Sequence, residues 1–259
     1  MYSDSKTIFN ALAEQYDAFR PHYPSEAVSF LITLGELDRT SDIADIGTGT
    51  GRLALELAKY VRLVYAIDTA SVMLDRLSEH ADEVGQSNVR TIEASAEETT
   101  LHDESLSMSI MAQSFHWVDK PKSLEEMHRI LGPGKPLIVM WNQVVNVEDP
   151  YYKAVVSTVK EYNSNYRGGA DIISGDFQST IEQSGLFESV ERFTFPFDLT
   201  HNIESYIGLL LSKSYIGVGI AKDKLPQFIE QVQGILTEHF PGAPVTERYE
   251  TVILSARKR

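Results

Sequence analysis

Residues 45–51 read Asp-Ile-Gly-Thr-Gly-Thr-Gly, set between the apolar run Ser41-Asp42-Ile43-Ala44 and a helical pattern that begins at Arg52. A strand that ends in alternating glycines and passes straight into a helix is the opening turn of a β–α unit. Glycine lets the chain turn sharply and lets a ligand lie against bare backbone, while the helix N-terminus beyond offers unpaired N–H groups. Asp45, at the end of the strand, can reach a ligand's polar groups or hold the loop. A tight β–α turn with no ligand uses the same residues, so the surroundings of the loop decide between the two.

Those surroundings repeat the unit. Residues 62–68, 88–94, 106–113 and 135–141 are short apolar strand-like runs, separated by helical stretches such as 70–84 and 122–131. Such alternation calls for parallel strands joined by right-handed crossovers. Upstream, Ile8, Phe9, Leu12, Tyr16 and Phe19 fall at helical spacing, and Pro21 and Pro24 stop that helix and open another running to about Gly35. After Trp141 the regularity weakens through a polar stretch to Gly175. Residues 176–197 then read as one more helix and strand, 202–241 as two amphipathic helices, and 248–258 as a final strand. The pattern predicts one α/β domain over residues 1–259, with a doubly wound seven-stranded sheet whose last strand is antiparallel. Residues 1–35 read as an N-terminal helical segment, 36–141 as the core that carries the glycine loop, and 202–241 as a helical cap inserted between the last two strands.

Composition narrows the function. Lys and Arg number 23 against 37 Asp and Glu, a formal charge of −14 that repels phosphate backbones and anionic membranes. Nucleic acid and membrane partners are therefore not expected, and a small-molecule substrate is. The absence of cysteine excludes disulfides, thiolate metal sites and Cys nucleophiles, and suits a cytoplasmic location. The N-terminal residues lack the basic and apolar regions of a secretion signal, and no apolar run is long enough to cross a bilayer. The seven histidines show no HExxH-like pairing, so no metal site is expected, and His80 and His128, in polar helical stretches, should face solvent. Neither a GxSxG elbow nor a Walker lysine is present.

Two further positions carry chemistry. Asp68 ends the run 62–68, where a doubly wound sheet brings the second strand beside the first loop, and a carboxylate there can accept hydrogen bonds from both hydroxyls of an adenosine ribose. Asp before a helix also serves as a cap, and one side chain can do both. Residues Gln113, Ser114, Phe115, His116 and Trp117 follow the fourth strand, at the edge of the sheet where such folds place ligands. His116 is the candidate base, or else a packing and hydrogen-bonding residue, and Trp117 is a pocket wall or a core aromatic.

The segments DIGTGTG (45–51), AIDTASVML (66–74), EASAEE (93–98), SIMAQSFHWVD (109–119) and LGPGKPLIV (131–139) occur in the order and spacing of class I S-adenosylmethionine-dependent methyltransferases. Over residues 5–141 the chain most resembles the methyltransferase type 11 group that includes trans-aconitate methyltransferase-like proteins, whose N-terminal segment resembles YDAFRPHYP (16–24) here. The resemblance implies a Rossmann-like fold and S-adenosylmethionine as cofactor, with residues 1–35 an N-terminal helical lid and 36–141 the cofactor-binding core. It implies that Gly47, Thr48 and Gly49 lie along the methionine part with Asp45 nearby, and that Asp68 takes the ribose hydroxyls. Thr69 and Met73 would flank the adenine, and Ala96 and Glu97 would contact its edge. Ser95 stands where the family motif often has Asp, and Gln113 belongs to the motif after the fourth strand. The lid segment would turn Tyr16 and Arg20 toward the methionine end, unless these complete a buried helix face and a structural ion pair. Tyr23, His116, Trp117, Trp141, Tyr206 and Tyr215 are candidates for the substrate pocket.

A nicotinamide-dependent oxidoreductase shares the glycine loop and the acid after the second strand. Its fingerprint wants a third Gly or Ala where this chain has Arg52, whose bulk argues against a pyrophosphate. A module that binds S-adenosylmethionine without transferring its methyl group fits the same residues. For a methyltransferase the expected chemistry is direct transfer to the substrate, helped by alignment and exclusion of water. Oxygen, as carboxylate or hydroxyl, is the acceptor favoured by family analogy, and the chain is expected to work as a monomer or homodimer.

Overall fold

The computed structural model describes residues 5–166 and 176–259. Two helices, α1 (Ser5–Phe19) and α2 (Ser25–Leu34), precede the sheet. The alternating unit follows as β1 (Asp42–Ile46), α3 (Arg52–Ala58), β2 (Leu63–Asp68), α4 (Ser71–Glu83), β3 (Val89–Glu93), β4 (Met108–Ala112), α5 (Lys120–Ile130) and β5 (Pro136–Val144). Next come α6 (Pro150–Tyr162), α7 (Phe177–Gln183), β6 (Phe187–His201), α8 (Ile203–Leu211), α9 (Ser214–Gly217), α10 (Leu225–His239) and β7 (Val245–Lys258).

The seven strands are ordered β3-β2-β1-β4-β5-β7-β6, with β1 to β5 pairing in parallel and β7 antiparallel to both its neighbours. The Rossmann-like sheet expected from the strand–helix alternation is thus present, antiparallel last strand included. The five residues of β1 are all buried, as a parallel strand covered on both faces requires. On one face Ala44, Ile46 and Met111 pack with Phe115, Leu124 and Met127, and on the other Ile43, Val64 and Ile110 pack with Leu31, Leu53 and Leu57. Chain reversals from the first half to the second fall at β1 and β4, so the crevice between their carboxyl ends is the switch point where doubly wound sheets bind ligands.

A third core lies outside the sheet, built from Tyr151, Val155 and Val159 of α6, Tyr206 and Leu210 of α8, and Phe228, Val232 and Leu236 of α10, with Val245 at the start of β7. Helix α6 falls inside the stretch to Gly175 that composition presents as polar. Its buried positions Tyr151, Val155 and Val159 are spaced by four, and the partner that makes this stripe a helix face is supplied only by α8 and α10. Residues 167–175 of that stretch lie outside the described residues. The apolar pattern over 206–216 divides into α8 and α9 around Ser212 and Lys213, where the Ser212 hydroxyl turns back to the Leu209 carbonyl at 2.7 Å. His80 and His128 do not simply face solvent. His80 pairs with Asp17 of α1 at 3.1 Å, and the His128 ring lies edge-on to Phe187, because α1 and β6 pack over the helices that carry them. No helix among the described residues is long and apolar enough to cross a membrane.

Candidate functional site

The loop after β1 is held open by its glycines. Gly47 and Gly49 take φ of 70° and 57°, and a Cβ on Gly47 would stand 2.4 Å from the Ser114 Cβ. That closeness comes from the Ser114 hydroxyl, which donates to the Ile46 carbonyl at 2.6 Å and ties the end of β4 to the end of β1. The Gly47 and Thr48 N–H groups both donate to the Ile67 carbonyl, so the loop is fastened to β2 as well. Asp68 completes the frame. Its two oxygens accept from the Gly49 N–H and the Ala70 N–H, each at 2.9 Å, clamping the glycine loop to the start of α4.

Asp45 is buried beneath this loop, with one carboxyl oxygen accepting from the Thr48 hydroxyl at 2.9 Å and the other without a partner. Burial, with the nearby Asp68 charge adding, pushes its carboxyl up to about 7. At the end of β4 Gln113 adopts a φ of 57°, a left-handed conformation that costs a non-glycine residue roughly 1–2 kcal/mol. Its N–H bonds to the Met140 carbonyl at 2.8 Å, which anchors the turn into the short 3₁₀ segment Phe115–Trp117. Strain of this kind is concentrated where side chains must be aimed.

These turns open on a cavity of about 1180 Å³. Gly47, Gly49, Asp68, Thr69, Met73, Ala96 and Glu97 line it from the loops after β1, β2 and β3. Gln113, His116 and Trp117 line it from the turn after β4, Trp141 from β5, Tyr16 and Arg20 from α1, and Tyr215 from α9. A recess of about 30 Å³ beside the cavity, sharing Tyr16, Arg20 and Gln113 with it, takes in Asp45, Thr48 and Tyr23. Ser95 and Tyr206 line neither space. Ser95 pairs its backbone with Glu98 in a tight bridge, and Tyr206 is buried inside the core of α6, α8 and α10, its ring against Tyr151 and His201.

Helix α1 closes over the loop through Arg52, the residue at the third fingerprint position. Its guanidinium donates to the Asp17 backbone carbonyl and bonds to His22 Nε2 at 2.9 Å, so it fastens the N-terminal segment to the start of α3. Arg20 donates to the Ser212 carbonyl at 3.3 Å and lies 5.2 Å over the Tyr16 ring, while its buried Nε has no partner. His116 stands beside two cations. Burial first, then Arg20 and Lys120, lower its imidazole to about 4, so it is neutral at neutral pH.

The sequence reading did not single out Lys120, Tyr152, Arg192, Lys213 or Tyr249, all of which line the cavity. Lys213 carried a signal, as a lone cation inside the apolar run 207–216. So did the inward-facing phase of β7, where Val245, Glu247, Tyr249 and Thr251 are buried and one of the four is a carboxylate. Among the described residues no group of three or more His, Asp or Glu side chains is arranged to hold a metal.

The family described as a methyltransferase domain matches residues 43–134, from β1 to the turn before β5. A Schizosaccharomyces pombe protein described as an uncharacterized methyltransferase is 32% identical over 184 residues, 69% of this chain and 70% of that protein. Another, from Mycobacterium bovis, is 32% identical over 139 residues, 54% of each, so the chain spans about half the length of that curated relative. Among solved structures, a putative type II methyltransferase from Anaeromyxobacter dehalogenans superposes with a TM-score of 0.64 at 21% identity, covering 93% of this chain and 98% of its own, which is a likeness of fold.

Proposed function

Because the chain belongs to the class I S-adenosylmethionine-dependent methyltransferases, we propose that it transfers the cofactor's methyl group to a small-molecule acceptor, with oxygen the favoured atom. The observation that carries the reading is the glycine loop, clamped by Asp68 and opening on a cavity of about 1180 Å³. Ligand pockets commonly hold about 300–1,000 Å³, so this one has room for a cofactor and a second molecule.

The residues fit the cofactor. Gly47 and Gly49 present backbone to the cavity, and the unpartnered Arg20 Nε, with the buried Asp45 carboxyl in the adjoining recess, matches a ligand end that carries both signs, as an amino-acid group does. In this reading Arg20 and Tyr16 hold the methionine carboxylate, Asp68 accepts from the ribose hydroxyls, and Thr69, Met73, Ala96 and Glu97 enclose the adenine. When bound, S-adenosylmethionine supplies a methyl group already activated by a sulfonium. The protein then aligns the acceptor and keeps water out, which lowers a barrier by several kcal/mol.

Oxygen is favoured by the charge of the far wall. In a chain of formal charge −14, Lys120 and Lys213 line the cavity outside the residues assigned to the cofactor, and among the described residues neither has a carboxylate within ion-pair distance. Cations so placed stabilise an oxyanion more than a neutral amine. Titration calorimetry with S-adenosylmethionine, S-adenosylhomocysteine and NAD tests the cofactor, and release of S-adenosylhomocysteine against panels of carboxylic acids, phenols and amines tests the transfer. Tight NAD binding with no response to either sulfur compound would overturn the reading.

A further inference from the structure

One charged side chain is buried where an apolar core should be. Glu247 on β7 is 1% exposed and lies against the third core, among Tyr151 and Tyr152 of α6, Tyr206 of α8, His201 of β6 and Lys213 between α8 and α9. Burying a carboxylate is costly unless something uses it. Here one oxygen, Oε2, accepts from the Tyr249 hydroxyl at 3.1 Å, and the other, Oε1, is buried with no partner. His201 does not line the cavity, and its Nε2 stands 3.7 Å from Oε2, beyond hydrogen-bond distance.

Tyr249 connects this carboxylate to the cavity. It sits two residues along the same face of β7, its ring stacked on Phe197 at 5.5 Å, and it lines the cavity together with Lys213 and Tyr152. In the sheet, β7 is three places from β1 on the side away from β2 and β3, so these groups form the wall opposite the Asp68 and Glu97 end. Arg20 of α1 is the charged group that faces Tyr249 from the lid side. A phenol with its proton already directed at a buried carboxylate, which itself feels the charge of Lys213, is an arrangement for receiving a proton.

We propose that Tyr249 and Glu247 form a proton-accepting pair at the acceptor end of the cavity, and that the acceptor is a hydroxyl compound, a phenol or alcohol, whose proton this pair removes; the proposal rests on the methyl-transfer reading above. The acceptor hydroxyl gives its proton to Tyr249 Oη as Tyr249 passes its own to Glu247 Oε2. The acceptor oxygen then bonds to the methyl carbon with the electron pair so freed, and the pair of the broken C–S bond stays on sulfur, cancelling its charge. Lys213 faces the oxygen while it is negative. A carboxylate acceptor would have no proton to lose and would leave the pair without a task. Burial favours a proton on Glu247, and His116, pressed by Arg20 and Lys120, is poorly suited to the same work.

The test compares wild type with Glu247→Gln, Glu247→Asp and Tyr249→Phe, using a series of substituted phenols and alkyl alcohols and a parallel series of carboxylic acids. Wild type should methylate members of the hydroxyl series, with a rate that rises with pH through the ionisation of the pair. Glu247→Gln and Tyr249→Phe should lose about a hundredfold in kcat, the usual scale for a lost general base, and the acidic limb of the pH profile should vanish. Glu247→Asp should recover part of the rate and the limb, while affinity for S-adenosylmethionine stays unchanged in all three. Tyr249→Phe keeps the ring and its stacking, so it reports on the pair even if a change at buried Glu247 disturbs folding. Two results overturn the proposal: both variants folded with wild-type rate and pH profile, or turnover confined to the carboxylic acids. Failure to bind S-adenosylmethionine, or no product from either series, defeats the methyl-transfer reading itself and is distinguishable from both.

Discussion

Replacing Asp68 separates two jobs that one carboxylate performs. Its bond to the Ala70 N–H steadies the first turn of α4, and its bond to the Gly49 N–H fixes the glycine loop, both at 2.9 Å. Ala70, not Asp68, is the N-cap of α4 and no side chain caps the helix, so losing the Asp68–Ala70 bond costs the roughly 1 kcal/mol of an ordinary hydrogen bond. Hydrogen bonds to a charged group contribute about 1.5–3 kcal/mol, and those that would go to the cofactor come from the same carboxylate. Asp68→Ala should therefore melt earlier and also bind S-adenosylhomocysteine about 10- to 150-fold more weakly, at about 1.4 kcal/mol per factor of ten. Asp68→Asn offers a single acceptor oxygen, so with that oxygen on Ala70 it should keep most of the stability and lose most of the affinity. Burial raises the Asp68 carboxyl above its ordinary range, and the ionised form is the better acceptor. Wild-type affinity should thus fall on acidification before an exposed carboxylate would titrate, and the Asn variant should show only the part of that fall that Asp45, with its carboxyl at about 7, brings. Calorimetry gives the affinity and thermal unfolding of the free protein gives the stability. An Ala variant that melts earlier but binds within twofold of wild type would refute the reasoning and leave Asp68 as a structural clamp alone.

Gly51→Ala should be destabilised by at least about 2 kcal/mol in thermal or denaturant unfolding, since its φ of 82° is strained for alanine and the new Cβ would stand 2.4 Å from the Leu77 Cγ. His116 should remain neutral from pH 8 down to its value of about 4, which proton NMR of the imidazole can follow. Between about 4 and the ordinary 6.5 the unfolded chain binds a proton that the folded chain refuses, so the stability this residue contributes above 6.5 is lost as pH falls through that window. His116→Gln should keep most of the turnover and the wild-type pH dependence, and a hundredfold loss together with a vanished acidic limb would instead make His116 the base.

What could be read from the sequence divides along the chain by the range of the forces involved. The loop at 45–51, the acid at 68 and the turn at 113–117 announce themselves because backbone geometry and strand ends are local properties, and the fold brings most of those side chains to one cavity. Helix α6 is silent because its stripe of Tyr151, Val155 and Val159 has meaning only beside α8 and α10. Tyr206 illustrates the converse: an aromatic in an amphipathic stretch looks equally suited to a pocket wall and to a core, and packing against Tyr151 and His201 makes it core. The cations of the far wall were hidden for a third reason. Lys120 and Lys213 come from segments 93 residues apart, and a net charge of −14 says nothing of where the few positive groups gather.

The pairing of β6 with β7 ends at His201 opposite Val245, and the 43 residues between them leave and re-enter the sheet at adjacent rungs. Paired residues on antiparallel strands are only about 4.5–5.5 Å apart. The register of the two strands therefore does not depend on the length of what is threaded through that gap, much as a bead strung on a folded wire leaves the wire unbent. The segment contributes Leu209, Lys213 and Tyr215 to the cavity, yet none of its residues belongs to the glycine loop or its clamps. A foreign segment grafted between positions 201 and 245 would re-line this part of the wall without touching the glycine loop, provided that it also supplies the apolar face that α8 and α10 give to α6, which makes the hairpin a socket for new specificities.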